Sequence, residues 1–282
     1  MNALKTTMLL AALTALLLVI GNVLGGRGGM MLAFILAAGM NIGAYWYSDK
    51  LVLRWYRAQE VGPNAGILYD ITAQLAQRAN LPMPKVYLIE DDAPNAFATG
   101  RDPQHASVAA TTGILRLLTA EELAGVMAHE LSHVAHRDTL IGAVSATIAG
   151  AVSMIANMFM WTSMFTGGRH NDGEHSNGLV ALLMMLLAPL AASLIQMAIS
   201  RSREYAADEA GARLCGHPDW LANALEKLGA GSARRIFRAA QENPATAHLF
   251  IVNPLHGNGF AQLFSTHPPL DERIERLRRM RI

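Results

Sequence analysis

Four stretches of the chain carry no charge, and between them polar and apolar residues alternate as they do in water-soluble proteins. The first, Thr6 to Leu24, follows Lys5 and is long enough to cross a bilayer as a helix. A cleaved signal peptide is the alternative, but the run is long for one and lacks an Ala-x-Ala site. Gly25-Gly-Arg27-Gly-Gly29 predicts a tight turn. The second stretch, Met30 to Tyr47, ends in Tyr45, Trp46 and Tyr47, residues suited to a membrane–water interface. Residues 1–47 are therefore expected to form a transmembrane hairpin. Thr139 to Gly168 and Leu179 to Ser200 make a second pair, separated by the polar loop 167–178. Buried core helices seldom reach that length, so spans are the expectation for 139–200 as well.

Residues 48–138 and 201–282 read as the two soluble parts. A helical period over Ile67 to Asn80 places Ile67, Ile71, Leu75 and Ala79 on one stripe. Leu81-Pro-Met-Pro84 ends it, and Val86–Glu90 reads as a short strand. Asn95–Gly100 and Ser107–Thr112 predict further strands around a turn at Arg101-Asp-Pro103. Thr119-Ala-Glu-Glu122 has the form of a capping box and should open a helix running to about Arg137. Later helices are expected at Pro218–Leu228, Ala233–Gln241 and Asp271–Arg281, with Asn243–Phe264 loop-like. The fold class expected is mainly α, a membrane protein with about four transmembrane helices and an α+β domain with a small sheet.

Composition agrees with this division. Of the 282 residues 52% are hydrophobic and only 16% charged, against about 25% charged in soluble proteins. The net charge of +1 and the absence of a basic run give no reason to expect nucleic acid as a partner. The lipid bilayer is the first partner implied. Cys215 is the sole cysteine, which rules out a disulfide framework and a thiolate metal site. Lys5, Lys50, Arg54, Arg57, Arg137, Arg201 and Arg203 flank the runs on one side, and Arg27 and Arg169 lie alone on the other. By the positive-inside rule both soluble parts face the cytoplasm. Two spans separate them, so they share a compartment and can build one site.

Val126-Met-Ala-His129-Glu130-Leu-Ser-His133 holds the chemistry. Histidines four apart on a helix project from one face about one turn, roughly 6 Å, apart. Both imidazoles can reach one ion, and Glu130 can face a water at that ion as general base, the zinc-hydrolase pattern. His136 lies on the same face but about 10 Å along the axis, too far to join them. His170 and His175 fall in the loop assigned to the opposite side of the membrane. Glu204 and Asp208, just past the fourth run, share a helical face. One carboxylate can bind the ion while the other holds a ligand histidine through its free ring nitrogen. A solvated surface pair has the same spacing.

His129-Glu-Leu-Ser-His133, a pair of apolar runs and Ser200-Arg-Ser-Arg-Glu204-Tyr-Ala-Ala-Asp208 together resemble the HtpX-type membrane gluzincins. The likeness extends to the amino-terminal hairpin and to Thr266-His267-Pro-Pro-Leu-Asp-Glu-Arg273; a more distant one is to the CAAX prenyl endopeptidases. The resemblance implies a gluzincin-like domain and a zinc endopeptidase of the inner membrane. It would act in quality control of misfolded or damaged membrane proteins, with membrane protease or chaperone partners. It also implies one catalytic zinc ion per chain on His129, His133 and Glu204, with Glu130 as base and Asp208 supporting a ligand. His267 and Arg273 are expected to stabilise the oxyanion or position substrate. At position 136 the family usually carries Asn, whereas this chain has His. A non-enzymatic zinc-binding membrane scaffold and a CAAX-type processing endopeptidase are the competing readings. The loop Asn243–Phe264 is the candidate for restraining the site.

Overall fold

Glycine decides where the amino-terminal stretch folds back. The computed structural model describes residues 2–63, 66–145, 147, 201–232, 251 and 268–282. In it α1 (Asn2–Trp55) consists of two helical arms broken at Gly25 and Gly26, the latter at a φ of 56° that a side chain would strain. Gly21 and Gly29 touch backbone to backbone, so a Cβ on either would strike the carbonyl of the other. Farther from the turn, Asn41 Nδ2 donates to Thr14 Oγ1 at 2.8 Å and to Leu10 O at 3.3 Å, tying the arms together. The two arms fold back on each other as a helical hairpin. Among the described residues Gly25–Trp55 is long and apolar enough to cross a membrane, with mean hydropathy 1.4, while the apolar Thr6–Val19 portion is shorter. Outside the described residues lie most of the third and fourth runs and the loop with His170 and His175. The helix expected at Ala233–Gln241 and all of Asn243–Phe264 except Ile251 lie outside them too. The described residues are mostly helical, with a small mixed sheet and one helix long and apolar enough to cross a membrane.

The second arm continues past the apolar stretch into the rest of the fold. Its end packs Val52, Leu53 and Tyr56 on Ile89, Ala93, Phe97 and Ala109. Four strands form the sheet: β1 (Gln59–Val61), β2 (Lys85–Ile89), β3 (Ala96–Gly100) and β4 (Ala106–Thr111), in the order β1-β2-β4-β3. β2 and β4 are parallel and the other pairings antiparallel. Strand side chains alternate between faces, so Phe97 and Ala109 meet the end of α1. Ala96, Ala98, Val108 and Ala110 face the opposite way, into the main core.

That core contains α2 (Ile67–Arg78), α3 (Thr112–Leu117), α4 (Ala120–Ala135), α5 (Arg201–Cys215), α6 (Pro218–Ser232) and α7 (Leu270–Arg279). The buried stripe of α2 is Leu68, Thr72, Leu75 and Ala76, one residue away from the expected one, and Ile67 is 49% exposed. Ile67 opens the first turn, where it has no neighbouring turn to pack beside. The helix α4 is buried on nearly every side, against α2, β3, α5 and α6. It starts with the predicted capping box: Thr119 Oγ1 accepts from the Glu122 amide at 3.3 Å and Glu122 Oε2 from the Thr119 amide at 2.9 Å. Two glycines let its neighbours approach. A Cβ on Gly211 of α5 would lie 2.7 Å from His129 N, and one on Gly125 would lie 2.6 Å from Leu221 N of α6. Backbone atoms cannot step aside, so α5 reaches the motif face of α4 only because residue 211 has no side chain.

Candidate metal centre

The close contact at Gly211 puts Glu204 and Asp208, two turns and one turn earlier on α5, opposite His129 and His133. The two ring Nε2 atoms are 3.2 Å apart. Glu204 closes the triangle, with Oε1 3.5 Å from His133 Nε2 and Oε2 3.9 Å from His129 Nε2. Ligands at about 2.0–2.1 Å from a tetrahedral ion stand about 3.3 Å from one another. The three groups fit a metal ion without rearrangement, and among the described residues they are the set of histidine and carboxylate donors that does so.

Each histidine has a carboxylate behind it. Asp208 Oδ1 is 2.9 Å from His129 Nδ1, although the N–H does not point straight enough along that line for a well-directed hydrogen bond. Asp138 Oδ2 is 3.2 Å from His133 Nδ1. Such partners fix which ring nitrogen carries the proton and which presents its lone pair. Arg273 of α7, 0% exposed, donates from Nε and Nη2 to Asp208 at 2.8 and 2.7 Å. Its Nη1 donates to Ile251 O at 3.1 Å and lies 3.6 Å from Glu204. The resemblance points Arg273 towards the oxyanion or substrate; here its guanidinium is enclosed among the carboxylates that back the site. His267 lies outside the described residues.

Electrostatics follow from burial and crowding. Burial and the nearby Glu204 push the Glu130 carboxyl up to about 8, against the pull of His133, the Ala98 amide and Arg273. Burial alone would depress His133, but Asp138, Glu204 and Glu130 outweigh it and raise the imidazole to about 8. For His129 burial wins over Asp208, and its basicity falls. Burial would lift Asp208, yet Arg273 and His129 hold it at about 2. With both histidines neutral, as metal ligation requires, and the carboxylates ionised, Glu130, Glu204, Asp208 and Asp138 face two guanidiniums, Arg273 and Arg203. The excess of two negative charges is what one divalent cation neutralises.

The sheet delivers one of its edges to the same place. β3 is terminal in the sheet, whereas β4 is paired on both sides. The Asn95 carbonyl accepts from the Thr111 amide, which turns the main-chain groups of Ala96, Ala98 and Gly100 outward. The Ala98 amide donates to Glu130. The Ala96 carbonyl accepts from the buried Ile251 amide at 3.3 Å. His136 caps the end of α4 on the surface, outside the cluster, and Cys215 is buried with its thiol on the Ala212 and His217 carbonyls. Sequence reasoning missed Asp138. Its only signal was a carboxylate five residues past a ligand histidine, a spacing that matches no helical face.

Comparison with known proteins agrees with this geometry. The model of peptidase family M48 matches residues 64–281. Over 279 residues the chain is 59% identical to "Protease HtpX" of Legionella pneumophila, covering 99% of each. It is 56% identical over 282 residues to "Protease HtpX homolog" of Syntrophotalea carbinolica, with 100% of both covered. Among solved structures it is similar to the crystal structure of S. mikatae Ste24p, with a TM-score of 0.52 and 17% identity. That likeness, one of fold, takes in 98% of this chain, which spans 65% of the other.

Proposed function

Because the chain belongs to peptidase family M48 and is a metalloprotease, we propose that it is a zinc endopeptidase of the inner membrane that cleaves misfolded or damaged membrane proteins. The observation that carries this reading is the donor triangle of His129, His133 and Glu204 with Glu130 beside it. Two imidazoles and one carboxylate are a donor set for catalytic zinc, which keeps a fourth position open. Bound there, zinc supplies a Lewis acid that lowers the pKa of a water towards about 7 and polarises the scissile carbonyl.

The chain's own residues do the rest. Glu130, held by the Ala98 amide at the rim of β3, takes the proton of the attacking water and returns it to the leaving amine. A carboxyl displaced upward by burial is suited to carrying a proton between those two steps. A peptide laid along β3 would displace the Ile251 amide from the Ala96 carbonyl to pair with that edge, placing its backbone beside Glu130. Arg273 and Asp208 keep Glu204 and His129 in place from behind, and His267 is assigned to the oxyanion or substrate. The four uncharged runs are read as spans, and their flanking arginines and lysines put 48–138 and 201–282 in the cytoplasm.

The test is cleavage of an unfolded substrate such as casein by the detergent-purified protein, beside its Glu130→Gln variant. The variant should keep one zinc per chain and lose at least about 100-fold in rate. Undiminished cleavage would remove Glu130 from the mechanism, and a wild-type protein that takes up no zinc would end the zinc assignment.

A further inference from the structure

His129 and His133 are backed differently by the fold. The partner of His129 comes from another helix, α5, and is fastened by Arg273 from a third, α7. The partner of His133 comes from the same stretch of chain, five residues on. A straight continuation of α4 would carry residue 138 past the ring, since five residues advance about 7.5 Å along the axis. The chain turns back instead. Arg137 adopts a left-handed φ of 57°, unusual for a residue with a side chain. The Arg137 amide then bonds to Val134 O at 3.1 Å, and the Asp138 amide to the carbonyl of His133 itself at 2.9 Å. This is a Schellman-type end, in which the left-handed place usually goes to glycine.

The next residue fixes the turn from the other side. Thr139 Oγ1 donates to the Gly100 carbonyl of β3 at 2.8 Å. Between these anchors the Asp138 carboxylate is nearly enclosed, with Oδ2 3.2 Å from His133 Nδ1 and Oδ1 3.8 Å from Nη1 of Arg203. Arg203 immediately precedes Glu204 on α5. Each histidine thus has an aspartate behind it and an arginine behind the aspartate: Asp208 with Arg273, and Asp138 with Arg203.

We propose that Asp138 is the positioning residue of His133. By accepting the Nδ1 proton it keeps the Nε2 lone pair turned to the point shared with His129 and Glu204. The left-handed Arg137 is the backbone feature that brings it there. This inference rests on the metal reading above, since it concerns how a ligand is held.

Zinc affinity, measured by chelator competition on the detergent-purified protein, separates the possibilities. Replacing Asp138 by alanine should weaken zinc binding about 10–100-fold and change the ligand-field absorption of the cobalt-substituted protein. Asp138→Asn keeps an oxygen that can accept from Nδ1, so it should recover most of the affinity and the wild-type cobalt spectrum. Near-wild-type melting of both metal-free variants would show that the fold is kept. An alanine variant within twofold of the wild type overturns the proposal. So does an asparagine variant as weak as alanine, because charge and not the hydrogen bond would then be acting. A wild-type protein that binds no zinc overturns the metal reading itself, a different result from an unaffected alanine variant.

Discussion

The amino-terminal hairpin and the catalytic half obey opposite rules of burial. In the hairpin the large apolar side chains point outward, with Met31, Leu32, Ile35 and Trp46 exposed, while Ala37, Ala44 and Gly21 are enclosed. In the catalytic half the enclosed groups include His129, Glu130, Glu204, Asp208 and Arg273. The solvent explains the difference. In lipid, where the hairpin is proposed to sit, helices gain nothing by hiding leucine, and they associate through small residues and a few polar links. In water the apolar residues go inside, and a charge follows them only where partners offset its desolvation. The hairpin is held by close approach, and the catalytic centre by mutual dependence among charges.

If that contrast is right, removing one charge from the centre should cost more than any comparable change in the hairpin. Arg273 is the severest case, because Asp208 and Glu204 are both buried beside it. Arg273→Met keeps volume but leaves two carboxylates without their cation. Breaking a buried pair in this way costs about 3–5 kcal/mol, which in a unit of this size lowers Tm by about 6–20 °C. The effect should shrink when zinc is present, since the ion substitutes for part of the missing charge. Thermal unfolding with and without zinc measures both. A metal-free Tm within about 2 °C of the wild type would mean that the guanidinium is not supporting those carboxylates.

The next step sets one glycine against another. A Cβ at Gly211 would meet His129 backbone atoms at 2.7 and 2.9 Å, whereas at Gly39 in the hairpin a Cβ meets nothing within 4 Å. Gly211→Ala should therefore force α5 away from α4 at a cost of about 1–3 kcal/mol, and should also weaken zinc binding by withdrawing Glu204. Gly39→Ala should be neutral or slightly stabilising, because alanine is the better helix former by about 1 kcal/mol. Equal effects of the two substitutions on melting and zinc affinity would show that helix approach does not set the site.

What could be read in the sequence follows the same physics. Local signals survived intact: Thr119 and Glu122 announce α4, and the four-residue spacings place His129 with His133 and Glu204 with Asp208. The strands β2, β3 and β4 were marked by their flanking prolines, glycines and polar turns. Two elements, β1 and α3, are too short to show a period, and the buried face of α2 depended on neighbours not visible in its own pattern. The charge partnerships were the least legible. Arg273 meets Asp208 across 65 residues of chain, and no spacing rule spans such a distance. Asp138 depends on a left-handed Arg137, a conformation that an arginine in the sequence gives no cause to expect. His267, most of the third run and all of the fourth lie outside the described residues and remain proposals.

The smallest effect expected belongs to the hairpin's own polar link. Asn41 donates to Thr14 Oγ1 and to Leu10 O, but its Oδ1 is buried without a hydrogen-bond partner among the described residues. Its net contribution is therefore the gain of two donated bonds less the cost of one stranded acceptor. Polar contacts between membrane helices average about 0.6 kcal/mol, because the separated helices also find partners in the membrane. Asn41→Leu removes the bonds and the stranded oxygen together and is apolar enough for the bilayer. We expect a Tm within about 2 °C of the wild type, with cleavage of casein unchanged. Comparison with Arg273→Met under the same conditions gives the sharpest reading. A loss in Asn41→Leu as large as that of the arginine variant would mean that the hairpin, too, is held by buried polar groups, and the contrast between the two halves would be lost.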